Sequence, residues 1–414
     1  MEAKLGLREN WKQFAILVII NAFVGGMIGL ERSILPELAQ QEFAVVAKSA
    51  LLSFIIVFGF TKAITNYFAG TLANKVGRKN LLIYGWIFAL PVPFILIFAP
   101  SWDWIILSNV FLGISQGLTW SSTVVMKIDL VGEKNRGFAM GLNEFSGYLA
   151  VALVAMFTGY IASTYGIRPY PFYIGIALSI LGLLGSIFFV NDTRKFVKQE
   201  EKFSFLPPLQ NIFLDTSFRH HNLSSVTQAG LINNLNDAMV WGLLPILLAT
   251  KGYGLKEIGL IVSFYPAVWG IAQLFTGKLA DKICKKTLLF WGMLIQGIGI
   301  ALLVLAVGVL HYLFISIVLG LGTAIVYPAF LAAIADDTHP EQRAESIGIF
   351  RLWRDSGYAF GAILSGLLAD SFGINAAIFS IGVLTIISAV IVKFRMTCSS
   401  NNCQPEALKL VPGF

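Results

Sequence analysis

The chain has 414 residues, 56% of them hydrophobic and only 13% charged, with a formal net charge of +7 and a mean hydropathy of +0.75. A soluble domain is about 45–50% apolar and about 25% charged, so this composition excludes a disordered protein and a nucleic-acid-binding domain. It also argues against an ordinary cytosolic enzyme, which would lack the charges to cover its surface.

The 33 Phe and 39 Gly suit lipid-facing surfaces and closely packed helices. A polytopic, all-α membrane protein is therefore expected. Lys4, Arg8 and Lys12 precede an apolar stretch long enough to span, with no small-residue cleavage site after it. That stretch is expected to remain as a helix rather than leave as a signal peptide. A span needs about 20 apolar residues, and the sequence predicts twelve. The first six are 13–35, 47–72, 80–99, 103–126, 137–162 and 171–190. The second six are 223–250, 257–280, 287–310, 312–335, 346–369 and 374–393. Pro91, Pro93, Pro266 and Pro328 fall inside spans, where kinks are tolerated if neighbours satisfy the backbone.

The expected organisation is a six-helix bundle over 1–190, a central cytoplasmic loop over 191–222, a second bundle over 223–396 and a cytoplasmic tail over 397–414. The central loop holds Pro207-Pro208 and His220-His221. Lacking a third ligand of fitting spacing, the His pair reads as solvated loop rather than a metal site.

An even number of spans puts both chain ends on one side. Twenty-two of the 30 Lys and Arg fall on that side. Four (Lys48, Arg168, Lys251, Lys256) fall on the other, and four (Arg32, Lys62, Arg351, Arg354) lie within spans or near their ends. This asymmetry predicts cytoplasmic termini and a multi-pass protein of the cytoplasmic (inner) membrane. Cys284, Cys398 and Cys403 form an odd set without metal-site spacing and are expected as reduced thiols facing the cytosol.

The two halves repeat. Gly70-Thr-Leu-Ala-Asn-Lys75 matches Gly277-Lys-Leu-Ala-Asp-Lys282 at an offset of 207 residues. The same offset relates Gly113 to Gly320, Arg136 to Arg343, Gly141 to Gly348 and Gly166 to Gly373. Parallel six-helix repeats with a ligand site between them are a transporter signature.

The segment Gly70 to Lys79 resembles the loop motif that joins helices 2 and 3 in the major facilitator superfamily, and Gly277 to Lys286 resembles its degenerate second copy. The resemblance extends over nearly the whole chain. It implies rocking of two bundles around a midplane site, with helices 1, 4, 7 and 10 lining the cavity and helices 2 and 11 facing each other across the halves. It also implies proton coupling. In the family an acid in the first motif helps to hold the inner face closed; here that position is Asn74, while Asp281 keeps the acid in the second copy. Helix 4 of many proton-coupled members carries an arginine where this chain has Asn109, and the glycine-rich run of span 5, Gly147 to Ala152, lacks the proline of many drug antiporters. Both departures argue against a typical drug/proton antiporter.

Ionisable residues inside spans are costly and mark function; here they are Glu31, Arg32, Lys62, Glu144, Asp237, Arg351, Arg354 and Asp355. Asp237 lies fourteen residues into span 7, about 21 Å deep at about 1.5 Å per residue. Asn233, Asp237 and Trp241 share one face with Asn234 close by, a stripe suited to a hydrogen-bonding ligand. By the resemblance it faces the substrate, with Gln116 and Trp120 from span 4, Asn21 from span 1 and Tyr327 from span 10 as further candidate liners. The bland reading is that these polar groups only join helices.

Lys62 and Asp355 lie at matching depths on spans 2 and 11, which suggests an interdomain ion pair at the inner gate. Two rival readings remain: a basic floor of Lys62, Arg351 and Arg354 for an anion, and a pair confined to one domain. Arg78, Asn74 and Asp281 join the candidate gate through the motif. Glu144 and Asp237 are the candidate proton carriers. Glu31 and Arg32 read as an outer-rim pair that snorkels.

No phosphate-cradling loop, metal-ligand cluster or hydrolase triad is visible, so neither enzymatic activity nor a cofactor is expected. The expectation is a monomeric secondary transporter in the lipid bilayer, with a small polar or anionic substrate and a proton co-substrate, and without nucleic acid. A multidrug exporter and a transporter-like receptor without flux are the alternatives.

Overall fold

The computed structural model describes residues 6–131, 136–193 and 209–398, with side chains throughout except at 70–71, 73–75, 136–138, 281–282, 335, 340–341 and 343–344. Among the described residues there are helices and no strands, as long apolar runs in lipid require. The first half contains α1 (Trp11–Arg32), α2 (Ser53–Val76), α3 (Arg78–Ala89), α4 (Trp102–Val131), α5 (Arg136–Tyr165) and α6 (Tyr173–Phe188). The second contains α7 (His221–Thr250), α8 (Leu255–Lys282), α9 (Lys285–Leu302), α10 (Val309–Asp336), α11 (Pro340–Phe372) and α12 (Ile374–Arg395).

A short helix, Leu35–Phe43, continues α1, and Lys48–Leu51 leads into α2. Pro91 starts its own helix, Pro91–Phe98, after α3, at the position where a missing N–H costs least. Nine helical segments are long and apolar enough to cross a membrane among the described residues, and Ser53–Ala69 is apolar but shorter. Neither α4 nor α11 is in that set. They carry Ser115, Gln116, Ser121, Ser122, Arg354 and Asp355, all buried.

Packing reproduces the repeat. A Cβ on Gly113 would meet Thr61 and the Phe58 carbonyl, and one on Gly320 would meet Val268 and the Tyr265 carbonyl. Each neighbour is displaced by the same 207 residues as the glycines themselves. So α4 crosses α2 as α10 crosses α8, with close approach made possible by the absent side chain. The turns repeat too: Gly166 and Gly373 sit at φ +96° and +88°, the left-handed region that favours glycine.

The halves meet along two seams, α2 against α11 and α5 against α8. Both seams are tight on the side away from the chain ends, here the far side. A Cβ on Gly159 would come within 2.9 Å of Gly259, and one on Gly59 within 2.7 Å of the Ala359 nitrogen. Beyond them Asp370, at the end of α11, accepts from the Ser49 hydroxyl (2.6 Å) and from the backbone N–H groups of Ser49 (2.9 Å) and Lys48. Partial burial pushes the Asp370 carboxyl up, but these three donors outweigh it and hold the group below its ordinary value.

The cysteine expectation is corrected. Cys284 and Cys398 form a disulfide, with 5.9 Å between Cα atoms. The segment after α12 returns beside the start of α9, where Asn222 Oδ1 accepts from the Thr397 N–H at 2.9 Å. Cys403 lies outside the described residues.

Candidate functional site

Among the described residues, nine acidic or basic side chains gather at the centre of the helix bundle. Glu31, Arg32, Lys62, Lys127, Glu144, Asp237, Arg354 and Asp355 are buried, and Arg351 is half-buried. Five are basic and four acidic. Two placements differ from the sequence reading. Lys127, expected among the loop charges, is fully buried within the first half. Glu31 and Arg32 do not snorkel: the chain breaks at Ser33 and continues as Leu35–Phe43, which leaves about 15 Å of helix beyond them. The Arg32 guanidinium instead sits 4.3 Å from the ring centre of Trp241 and 5.1 Å from that of Phe58, spanning the halves by cation–π contact.

On the terminal side of the sealed seams lies a pocket. Lys62, Glu144, Tyr327, Arg351 and Arg354 line it, and half-buried Met140 and Leu331 lie at its edge. Glu144 Oε1 accepts from the Trp120 indole (3.2 Å) and from the Asn143 amide (2.8 Å). Its other oxygen, Oε2, is buried with no hydrogen-bond partner. The Lys62 ammonium lies between the rings of Phe58, Trp120 and Tyr358, 5.1–5.7 Å from their centres.

The Lys62–Asp355 ion pair, expected to form when the inner side is shut and to part when it opens, is not formed here. Asp355 pairs with its neighbour Arg354 (2.7 Å), because the guanidinium folds back along the same helix. Asp355 also accepts from Asn66 (2.5 Å) on α2 and Asn234 (3.2 Å) on α7. Asn66 in turn accepts from Ser121, whose hydroxyl receives Arg351 at 3.1 Å. Arg354 also donates to the Tyr327 hydroxyl at 2.8 Å. The halves are thus joined here by amide and hydroxyl groups, one turn along α2 from the lysine.

Asp237 does not line the pocket. Tyr265 donates to its Oδ1 and also contacts Thr323 (3.0 Å), while Oδ2 is buried without a partner. Tyr148 of α5 stacks on Trp269 of α8 with ring centres 3.5 Å apart, and Trp269 also packs on Tyr327 (5.3 Å). This aromatic layer crosses the interface. Tyr265 is one turn of α8 farther from the terminal side than Trp269, so the layer separates Asp237 from the pocket.

The other sequence candidates fall as follows. Asn233 donates to Asn234 at 3.3 Å. Trp241 stacks on Tyr358 (5.2 Å) and its indole N–H has no partner. Asn21 donates to the Asn143 carbonyl (2.7 Å) and accepts from Thr123 (2.8 Å), and Gln116 donates to the Val24 carbonyl (2.8 Å). Asn21 therefore braces α1 against α4 and α5, and Gln116 braces α4 against α1. Arg78 pairs with Asp129 at 2.7 Å within the first half. The side chains of Asn74 and Asp281 lie outside the described residues. Among the described residues no cluster of three or more metal-ligating side chains occurs.

Sequence reading missed Asn66, Ser121, Tyr148, Tyr265, Trp269 and Tyr358. A signal was present: Tyr265, Trp269 and Gln273 recur at i, i+4, i+8, as do Glu144 and Tyr148 at i, i+4.

A family model described as the Major Facilitator Superfamily matches residues 14–225 and 226–401. The chain is 25% identical over 397 residues to the proton-coupled antiporter flippase LtaA of Staphylococcus haemolyticus, covering 93% of this chain and 94% of that one. It is also 25% identical to LtaA of Staphylococcus aureus strain USA300, with 89% and 91% covered. Among solved structures it resembles the human organic anion transporter MFSD10 (TM-score 0.69, 13% identity, 92% and 99% covered). It also resembles a POT family transporter bound to a thioalcohol-conjugated peptide (TM-score 0.74, 14% identity, 92% and 95% covered). At these identities the two structures speak for the fold alone.

Proposed function

The chain belongs to the Major Facilitator Superfamily, and from that premise we propose that it is a proton-coupled secondary transporter whose solute carries an anionic group. The observation that carries this reading is the balance of buried charge. In the central cluster five buried or half-buried bases face four acids, and three of the bases, Lys62, Arg351 and Arg354, line the pocket with Glu144 as its one lining acid among the described residues. An uncompensated charge in low dielectric is costly, so an anion entering this pocket offsets the excess. Arginine is suited to binding carboxylate or phosphate oxygens in pairs. Proton coupling is supported by the name of the staphylococcal relatives, and two buried carboxylates, Glu144 and Asp237, each have an oxygen free to take the proton.

The reading includes twelve crossings in two six-helix bundles, a central cytoplasmic loop and cytoplasmic ends. The lysine and arginine asymmetry supports this topology. The pocket then faces the cytoplasm, with the outside shut. Alternating access follows from rocking of the bundles about the two seams.

The test is internal pH in proteoliposomes when organic carboxylates, phosphate esters or lipophilic cations are added outside. A pH change driven by an anion, lost in Arg351→Gln, is the expected result. A response to lipophilic cations alone would overturn the anion assignment in favour of drug export. Anion binding without flux would instead make the protein a receptor. The relatives' flippase name favours a second reading, an amphiphile whose anionic head enters the pocket beside Met140 and Leu331. Transport of a lipid-linked anion but not of its free head group would select it.

A further inference from the structure

Of the five bases gathered inside the bundle among the described residues, Lys127 is the one that lies outside both the pocket and the interface. It is fully buried on α4, one face and two turns along from Trp120. Its ammonium donates to Asn143 Oδ1, and Asn143, also fully buried, donates through Nδ2 to Glu144 Oε1 at 2.8 Å. The amide is therefore held with its carbonyl toward a cation and its NH2 toward an anion. The reversed orientation would set NH2 against an ammonium and a carbonyl against a carboxylate, losing both bonds. Trp120 completes the cradle of Oε1, and the free Oε2 is the oxygen left for the pocket.

We propose that Lys127 is a positioning residue for Glu144: through Asn143 it fixes which carboxylate oxygen meets the pocket, and it is the counter-charge that stays with Glu144 whatever the pocket holds. The inference rests on the pocket being the proton-coupled site.

Several groups face Glu144 from the packed helices. They are Lys62 of α2, Trp120 and Lys127 of α4, Tyr327 of α10, Arg351 and Arg354 of α11, and Tyr148 of its own helix. Lys62, Arg351 and Arg354 line the pocket, so a bound anion shares their charge. Lys127 does not line it. When solute occupies the pocket, Lys127 is the base still committed to the carboxylate. Glu144 then stays ionised at a lower pH than it would without this lysine, and the Asn143 bridge keeps Oε2 in place.

The test uses the purified full chain in nanodiscs. The Trp120 contribution to fluorescence, taken as the difference between the protein and Trp120→Phe, reports on the hydrogen bond to Glu144 as pH is varied. The expected result is one titration, absent in Glu144→Gln. Lys127→Met moves its midpoint upward by about one pH unit, the lower end of the effect of a nearby opposite charge; Lys127→Arg leaves it near the original value. Lys127→Gln keeps a donor toward Asn143 Oδ1 without the charge and moves the midpoint upward as well, so the idea survives loss of folding in Lys127→Met. Unchanged midpoints in a folded Lys127→Met and in Lys127→Gln would overturn the proposal. Because the signal needs no flux, it separates the two ideas. A shifted midpoint with no proton movement in liposomes sinks the transport reading, whereas proton movement with an unshifted midpoint sinks the role of Lys127 alone.

Discussion

Asn66 of α2 donates to Asp355 of α11 at 2.5 Å, joining the two halves through a carboxylate with no exposure to solvent. The same carboxylate holds Arg354 and Asn234, so it serves one contact between the halves and two within the second half. Opening of the seam must break the first and can keep the others. Asn66→Leu is expected to cost about 1–2 kcal/mol in thermal unfolding, as for a buried acceptor losing one donor. Asp355→Leu leaves Arg354 buried and unpaired, and its cost is expected at about 3–5 kcal/mol. Equal costs for the two would contradict the hub.

Glycines set how closely the far-side seams can approach. Gly159 and Gly259 face each other across α5 and α8 with no room for a Cβ. Gly159→Val is expected to wedge this seam, with an overpacking cost of about 1–3 kcal/mol against the closed state. A cysteine placed nearby on the far side should then react faster with an impermeant maleimide. An unchanged labelling rate would mean that the seam is not closed in the membrane.

The Asp370 contact makes a pH prediction. Its carboxyl is held below the ordinary value by the donors of Ser49 and Lys48, against the upward push of burial. A depressed carboxyl stabilises the contact fully above its unfolded value, about 3.9, and loses that contribution as pH falls through the lower folded value. Far-side closure should therefore not vary through this group between about pH 5 and 8, while Asp370→Asn should weaken closure across that range. Labelling of the same far-side cysteine, measured against pH, checks both statements.

The Tyr148–Trp269 stack closes the layer between the pocket and Asp237. A double-mutant cycle of Tyr148→Leu and Trp269→Leu should give a coupling of about 0.5–1.5 kcal/mol, as for other aromatic pairs. Either single change should also make Asp237 reachable from the pocket. Coupling near zero would show that the rings only fill space.

Much of the fold is readable in the sequence. The helix of Asp237 is expected over 223–250 and observed over His221–Thr250, because a long apolar run in lipid has few other ways to satisfy its backbone. The repeat was equally legible, since glycines that keep the offset of 207 residues sit at equivalent helix crossings, Gly113 and Gly320, and at equivalent turns, Gly166 and Gly373. The site was legible only as a set of residue types. Lys62 and Asp355 do lie at similar depth, but depth cannot say that Arg354 captures the carboxylate first. Lys127 reads as a loop charge because it falls one residue past the predicted span 103–126, and its burial depends on Asn143 arriving from another helix.

The sequence by itself determined that this chain is a bundle of membrane helices built from two copies of one unit. Composition, span length and glycine spacing are one-dimensional properties, and the bilayer converts them directly into structure. Only the tertiary structure decided which charges meet. Partner choice among nine ionisable groups turns on helix rotation and on differences of a few ångströms, and in low dielectric those differences separate a paired charge from an open one.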